Sequence, residues 1–261
     1  MTQHRFRNYA VTTEQAVGWL EYRRPPVNAF DWDMIREAPM ALSALIDDPA
    51  VHVIVIASAL EKYFNSGADL KVFRDVRGSA MREWVGICHD QIVPLLRHSP
   101  KPLLAAINGI AVGGGLEIAW HCDVRFAASD ARIGQPEIQI AYIPPIGATQ
   151  ALARLIGRHR ALRFLYDGEL LSAQQALEIG LVDQVVPAAR LRDEVRAYAQ
   201  HLAGKPQNAL AAIRRCVTEG GSLEFDAGLK IEFDEAVRLS ESPNFAEGVA
   251  AFLEKRPPRW S

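Results

Sequence analysis

The chain has 261 residues, 49% of them hydrophobic and 23% charged, the balance of a globular protein able to bury a large core. Its 29 basic and 31 acidic residues give a formal net charge of -2, which argues against any global attraction to nucleic acid or an acidic membrane and favours small-molecule chemistry. One main domain with a smaller appendage is the natural division at this length.

In chain order, residues 5–12 and 15–22 read as two short strands joined at Thr13-Glu14, and Arg23-Arg24-Pro25-Pro26 ends the second. Asp31 is placed to cap a helix running to about Leu45, with Pro39 predicting a kink or a late start. HVIVIAS (52–58) is a short β-branched run of the kind buried on both faces of a sheet, and LLAAIN (103–108) is another. A helical stretch from about Ala80 to Arg97 joins them, closed off by Pro100 and Pro102. Strand, helix, strand in this order predicts a crossover and a parallel sheet, extended by VRFAA (124–128) and LVDQVV (181–186). After about Ala188 the pattern is helical to the end, and this tail is the candidate appendage.

The three cysteines, Cys88, Cys122 and Cys216, are odd in number and lack metal-ligand spacing, so reduced thiols in a cytoplasmic protein are expected. The amino terminus has no apolar signal-type core, and no stretch reaches the roughly 18 uncharged residues needed to span a bilayer.

The chemistry concentrates in NGIAVGGGLEIAW (108–120), where a strand ends near Asn108 and three glycines precede a helical run, LEIAWHC. Gly113 to Gly115 then sit at a helix amino terminus, whose free N–H groups stabilise an oxygen carrying negative charge. The spacing fits neither phosphate template: no Lys-Ser/Thr follows, and position 118 is Ile where a dinucleotide site needs its last glycine. Taken alone, the glycines equally suit close packing of a helix on a strand. Glu117 directly follows them, and Glu137 sits in IGQPEIQIAYIPPIGATQ (133–150), again beside apolar residues. An isolated carboxylate there is costly unless it pairs with Arg125 or Arg132 or faces solvent.

NGIAVGGGLEIAWHCDVRFAASDARIGQPEI resembles the central signature of the crotonase superfamily of enoyl-CoA hydratases and isomerases. YFNSGADLKVF (63–73) is similar to its first oxyanion-hole segment and AAFLEKRPP (250–258) to its carboxy-terminal signature. The likeness runs from RPPVNAF (24–30) through GLVDQVVP (180–187). It implies an α/β fold, a spiral of repeated ββα units over residues 1–195, followed by a helical oligomerisation region over 196–261 that forms trimers, alone or paired into hexamers.

The same resemblance implies an enoyl-CoA hydratase, with double-bond isomerisation, dehydration of a specialised acyl-CoA, or an RNA-binding or scaffold role as alternatives. The backbone N–H groups of Ala68 and Gly114 would hold the thioester oxygen, and Glu117 and Glu137 would be the catalytic acids. Arg24, Lys62, Ser66, Asp69, Leu70, Gly113 and Lys255 would contact CoA or substrate, Lys255 reaching a phosphate from the last helix, possibly that of a neighbour. No cofactor is expected, since CoA comes with the substrate, and no metal, since the seven histidines lack ligand spacing. One departure bears on the acyl pocket: IPPIGATQ (143–150) stands where many hydratases read IPGAGGTQ, and Pro145 and Ile146 stiffen and fill that turn. Trp84, Trp120 and Tyr142 are candidate pocket walls.

Overall fold

A computed structural model describes residues 6–261; the expected strand start at residue 5 lies outside them. Among the described residues ten strands form two sheets: β1 (Tyr9–Glu14), β2 (Val17–Tyr22), β3 (Val53–Ser58), β4 (Tyr63–Asn65), β5 (Leu103–Ile107), β6 (Ile110–Val112), β7 (Val124–Ala128), β8 (Arg132–Gly134), β9 (Leu171–Ser172) and β10 (Gln184–Val186). The larger sheet has the order β1-β2-β3-β5-β7-β10 and the smaller β4-β6-β8-β9. Pairing is parallel except between β1 and β2 and between β8 and β9.

The chain alternates between the sheets. β3 and β4, β5 and β6, and β7 and β8 each contribute one strand to each sheet, and helix follows each pair. This is the ββα spiral that the family resemblance implies. β3 and β5 are buried nearly end to end, as expected of strands covered on both faces. Helix Leu191–Ala203 lies against β2, β3, β5 and β7, so the boundary expected between residues 195 and 196 falls inside an element packed on the main sheet.

Several boundaries differ from the sequence reading. The hairpin turns at Gln15–Ala16, both with positive φ, and Thr13 and Glu14 remain in the ladder. A two-residue hairpin turn takes positive φ at both positions, and neither residue is the Gly or Asn that would have marked it. Helix Trp32–Ile46 starts on time, with the Asp31 carboxylate accepting the Met34 N–H, and Pro39 lies inside it on the buried face. The stretch from 80 to 97 is helix Ser79–Ile87, a widened turn at Cys88–Ile92, and helix Val93–Arg97. The wide turn precedes Pro94, which has no N–H for the regular ladder. Leu181 and Val182 are buried outside the ladder, and the last strand begins only at Gln184.

The helices after residue 206 join this body through Arg214, which is almost fully buried. Its guanidinium donates to Asp123 and to the carbonyls of Leu96, Arg97 and Ser99. Asp31 does double duty, since it also holds Arg24 at 2.7 Å. Asp31→Ala is expected to lower stability by ~1–2 kcal/mol in urea denaturation, and Asp31→Asn to recover the capping share. An unchanged midpoint for the alanine variant would remove the cap from the account of this helix.

Candidate active site

The site begins where β4 ends. Asn65 turns its side-chain oxygen back onto the Gly67 N–H at 2.8 Å, which bends the chain into Ser66-Gly67-Ala68. Phe30 pairs across this bend: its N–H donates to the Gly67 carbonyl at 2.7 Å and its carbonyl accepts the Asp69 N–H at 2.8 Å. In a parallel bridge of this kind the intervening residue points its own N–H the other way, so that of Ala68 is left free of backbone partners. Asp69 then caps the short helix Leu70–Phe73.

The second strand pair delivers the facing segment. β6 leads into helix Gly113–Ala119, which starts with the glycines themselves and ends before Trp120, shorter than LEIAWHC predicts. As the second residue of that helix, Gly114 has an N–H without an intrahelical acceptor. Gly67 and Gly113 both have positive φ and touch: a Cβ on Gly67 would lie 3.3 Å from Gly113 Cα and 3.7 Å from Gly114 N. Only glycine permits this approach. Ala68 and Gly114 both line a cavity of about 200 Å³, together with Ser66, Leu70 and Glu137.

Glu117 lies on the inner face of the glycine-led helix and is fully buried. Its Oε2 accepts the N–H groups of Ile146 at 2.6 Å and Ala148 at 3.2 Å, while Oε1 has no protein partner. Ile146 in turn lines the cavity, so the carboxyl sits behind that wall. Glu137 comes from the turn Pro136–Ile140 after β8; its Oε1 is 3.3 Å from where a Gly113 Cβ would be, and its Oε2 is unpartnered. Neither glutamate pairs with Arg125 or Arg132: Arg125 is bound to Asp183 and to carbonyls at Cys122 and Leu181.

Burial raises both carboxyls. Glu137 is pushed up to about 7. Glu117 is held well above the usual carboxylate range, first by burial and then by the nearby Glu137 charge, with the two N–H donors opposing the shift. Two acids that feel each other in one buried site titrate as a pair.

The other expected residues divide. Ser66, Leu70 and Gly113 line the cavity, as do Trp84 and Tyr142, but Trp120 does not. The structure puts Arg24 to a different use: its guanidinium is held by Asp31, by Asp69 at 3.2 Å and by the Ala29 carbonyl, which ties the two chain segments together. Asp69 is taken up by the same cluster. Lys62 is exposed, with its carbonyl receiving the Ile110 N–H, and Lys255 is exposed at the end of the last helix, outside the cavity lining. Sequence reasoning missed Asn65 and the Ile146 and Ala148 N–H groups. The unusual IPPIGATQ turn marked the latter pair as a region of interest, whereas nothing distinguished Asn65.

A larger groove of about 470 Å³ lies among the carboxy-terminal helices between Phe245, Phe252 and Trp260. Its lining contains no titratable side chain and so offers no acid–base group.

Comparison with known proteins agrees with this placement of the fold. The family model for enoyl-CoA hydratase/isomerase matches residues 12–261. Crotonyl-CoA hydratase of Syntrophomonas wolfei is 35% identical over 252 residues, covering 96% of each chain. Short-chain-enoyl-CoA hydratase of Clostridium acetobutylicum is 30% identical over 250 residues, covering 95% of each. The crystal structure of an enoyl-CoA hydratase from Geobacillus kaustophilus superposes with a TM-score of 0.95 at 32% identity, covering 100% of this chain and 98% of that one. The chain therefore belongs to the enoyl-CoA hydratase/isomerase family of the crotonase superfamily.

Proposed function

We propose that the protein is an enoyl-CoA hydratase, adding water across the 2,3 double bond of a short 2-enoyl-CoA to give the 3-hydroxyacyl-CoA. The observation that carries this reading is a cavity lined by Ala68, Gly114 and Glu137, with the fully buried Glu117 carboxyl set behind its Ile146 wall and raised in part by the Glu137 charge. The thioester oxygen is received by the Ala68 and Gly114 N–H groups, which favour the charge it gains as an enolate; losing one such donor typically costs about 3 kcal/mol of barrier. One acid of the Glu117–Glu137 pair, entering ionised, takes a proton from water as the hydroxyl bonds to Cβ, and the double-bond electrons move to the thioester oxygen. The other, entering protonated, gives its proton to Cα as the enolate collapses. Each acid ends in the opposite state, and proton exchange with solvent resets the pair. CoA arrives with the substrate, so the scheme calls for no resident cofactor or metal. A small cavity walled by Phe73, Trp84 and Ile146 fits a short acyl group, the class named for two of the relatives.

Glu117→Gln and Glu137→Gln should each lower turnover of crotonyl-CoA on the order of 10²–10⁴-fold, with acyl-CoA binding by calorimetry retained. Loss of the conjugated absorbance reads hydration directly, and a gain in conjugation from a 3-enoyl thioester would instead identify an isomerase. Near-full turnover in either variant would refute the two-acid step.

Stability should carry the mark of Glu137. The folded carboxyl ionises at about 7 and the unfolded one near 4.5, so between these values the folded state holds more protons and stability falls as pH rises. Glu137→Gln removes that loss. Its advantage over the parent in urea midpoint is expected to grow from about pH 4.5 to about 7 and then level off. A difference independent of pH would show that the group is not shifted.

The carboxy-terminal helices support assembly as a homotrimer, alone or paired into a hexamer. Phe225, Leu229, Phe233 and Val237 recur at every fourth position of helix Phe225–Ser240, and all are exposed. Phe252 and Leu253, on helix Pro243–Glu254, are 84% and 74% exposed. Such surface is normally covered by a partner. In a trimer Lys255 would approach a neighbour's CoA phosphate. Light scattering on the eluting protein should return three or six times the 28.9 kDa chain mass; a monomer would end this reading.

A further inference from the structure

Two histidines to which the family resemblance assigns no role reach the turn that holds Glu117. His89 Nε2 lies 2.6 Å from the Pro145 carbonyl and His121 Nε2 lies 2.8 Å from the Ile146 carbonyl. A carbonyl only accepts, so in each case the imidazole proton sits on Nε2. We propose that His121 is a positioning residue for Glu117: it fixes the Ile146 carbonyl while Glu117 accepts the N–H of the same residue, so both ends of Ile146 are pinned from one helix face. This rests on the hydratase reading of the site.

The geometry is local and specific. Residues 117 and 121 are four apart, which puts both side chains on the same side of the helix and its terminal turn. The His121 N–H closes that turn onto the Ile118 carbonyl at 3.1 Å. Gly147 makes the approach possible, since it has φ +89° and a Cβ there would lie 3.1 Å from both Cε1 and Nε2 of His121. Pro144 and Pro145 have no N–H to anchor the turn from its other side. His121 holds the carbonyl of Ile146, one donor to Glu117 Oε2, and the other donor, Ala148, follows across Gly147, so release of the Ile146 carbonyl frees the segment that carries both. The Ile146 side chain also reaches within 3.0 Å of a Gly114 Cβ position, which couples the turn to the oxyanion wall. Burial lowers the His121 pKa and keeps the ring neutral, with one N–H to give.

The test compares side chains of different reach. With crotonyl-CoA, His121→Leu should lower kcat by about 10- to 100-fold with KM within about twofold, because the acid is misplaced while the CoA contacts remain. His121→Gln, whose amide nitrogen stands near the place of Nε2, should recover kcat to within about threefold of the parent. Should the leucine variant not fold, His121→Asn replaces it, being polar but too short to reach the carbonyl. Equal kcat in the long and short variants, or an unchanged kcat in His121→Leu, overturns the proposal. Nitrogen-15 spectra of the imidazole give a readout independent of turnover: a neutral Nε2–H tautomer at His121 is required, and the Nδ1–H tautomer overturns it. A parent protein inert towards every enoyl thioester but showing that tautomer would sink the hydratase reading and leave the Ile146 pinning in place.

Discussion

Everything at the site depends on two backbones meeting with no side chain between them. Gly67 lies in the bend that follows one strand pair and Gly113 opens the helix that follows the next, and their contact brings Ala68 and Gly114 to the same cavity. The approach is possible because both glycines adopt positive φ and neither carries a Cβ. Supporting contacts keep it from relaxing: Asn65 fixes the bend from within, and Phe30 fixes it from the adjacent segment. Asn65 itself fills the space beside Gly115, where a Cβ would come within 2.0 Å of its Cγ. The glycine triplet therefore serves three ends, namely a close approach, an uncapped helix start and room for the side chain that shapes the opposing bend.

Electrostatics follow from that packing. An acid held among apolar side chains resists ionisation, and a second acid nearby resists it further. Glu117 is spared complete isolation by two backbone donors, yet one of its oxygens is left without a protein partner. Glu137 likewise keeps one oxygen, Oε2, unpartnered, with its Oε1 beside Gly113. Orphaned carboxylate oxygens of this sort are destabilising in an ordinary core, and two acids left so mark a place where the fold gives up stability for chemistry.

The long apolar runs at 53–58 and 103–107, the cap at Asp31 and the crossover between the two strands were all legible in the sequence, because burial on both faces and helix capping leave strong local patterns. The short strands β4, β6, β8 and β9 were not. They have two or three residues each, too few for a period, and owe their conformation to neighbours brought in by the spiral. At the site, Gly113, Gly114, Glu117 and Glu137 stood out through motif and chemistry. Arg24 looked like a free cation because its partners Asp31 and Asp69 lie 7 and 45 residues away, and only folding brings both to it. The hold of Ile146 and Ala148 on Glu117 is a main-chain property that no residue type announces.

The alternation of strands between two sheets has a consequence for how the cavity comes into being. One strand pair supplies Ala68, the next Gly114 and Glu117, and the third Glu137, so three windings of the spiral must be in register before any part of the pocket has its complement. No fragment holding a single winding has a partial version of it. Fraying of any one winding would silence the chemistry while most of the core stayed intact, which makes catalytic competence an all-or-none property and a more sensitive gauge of native winding than any bulk measure of folded structure.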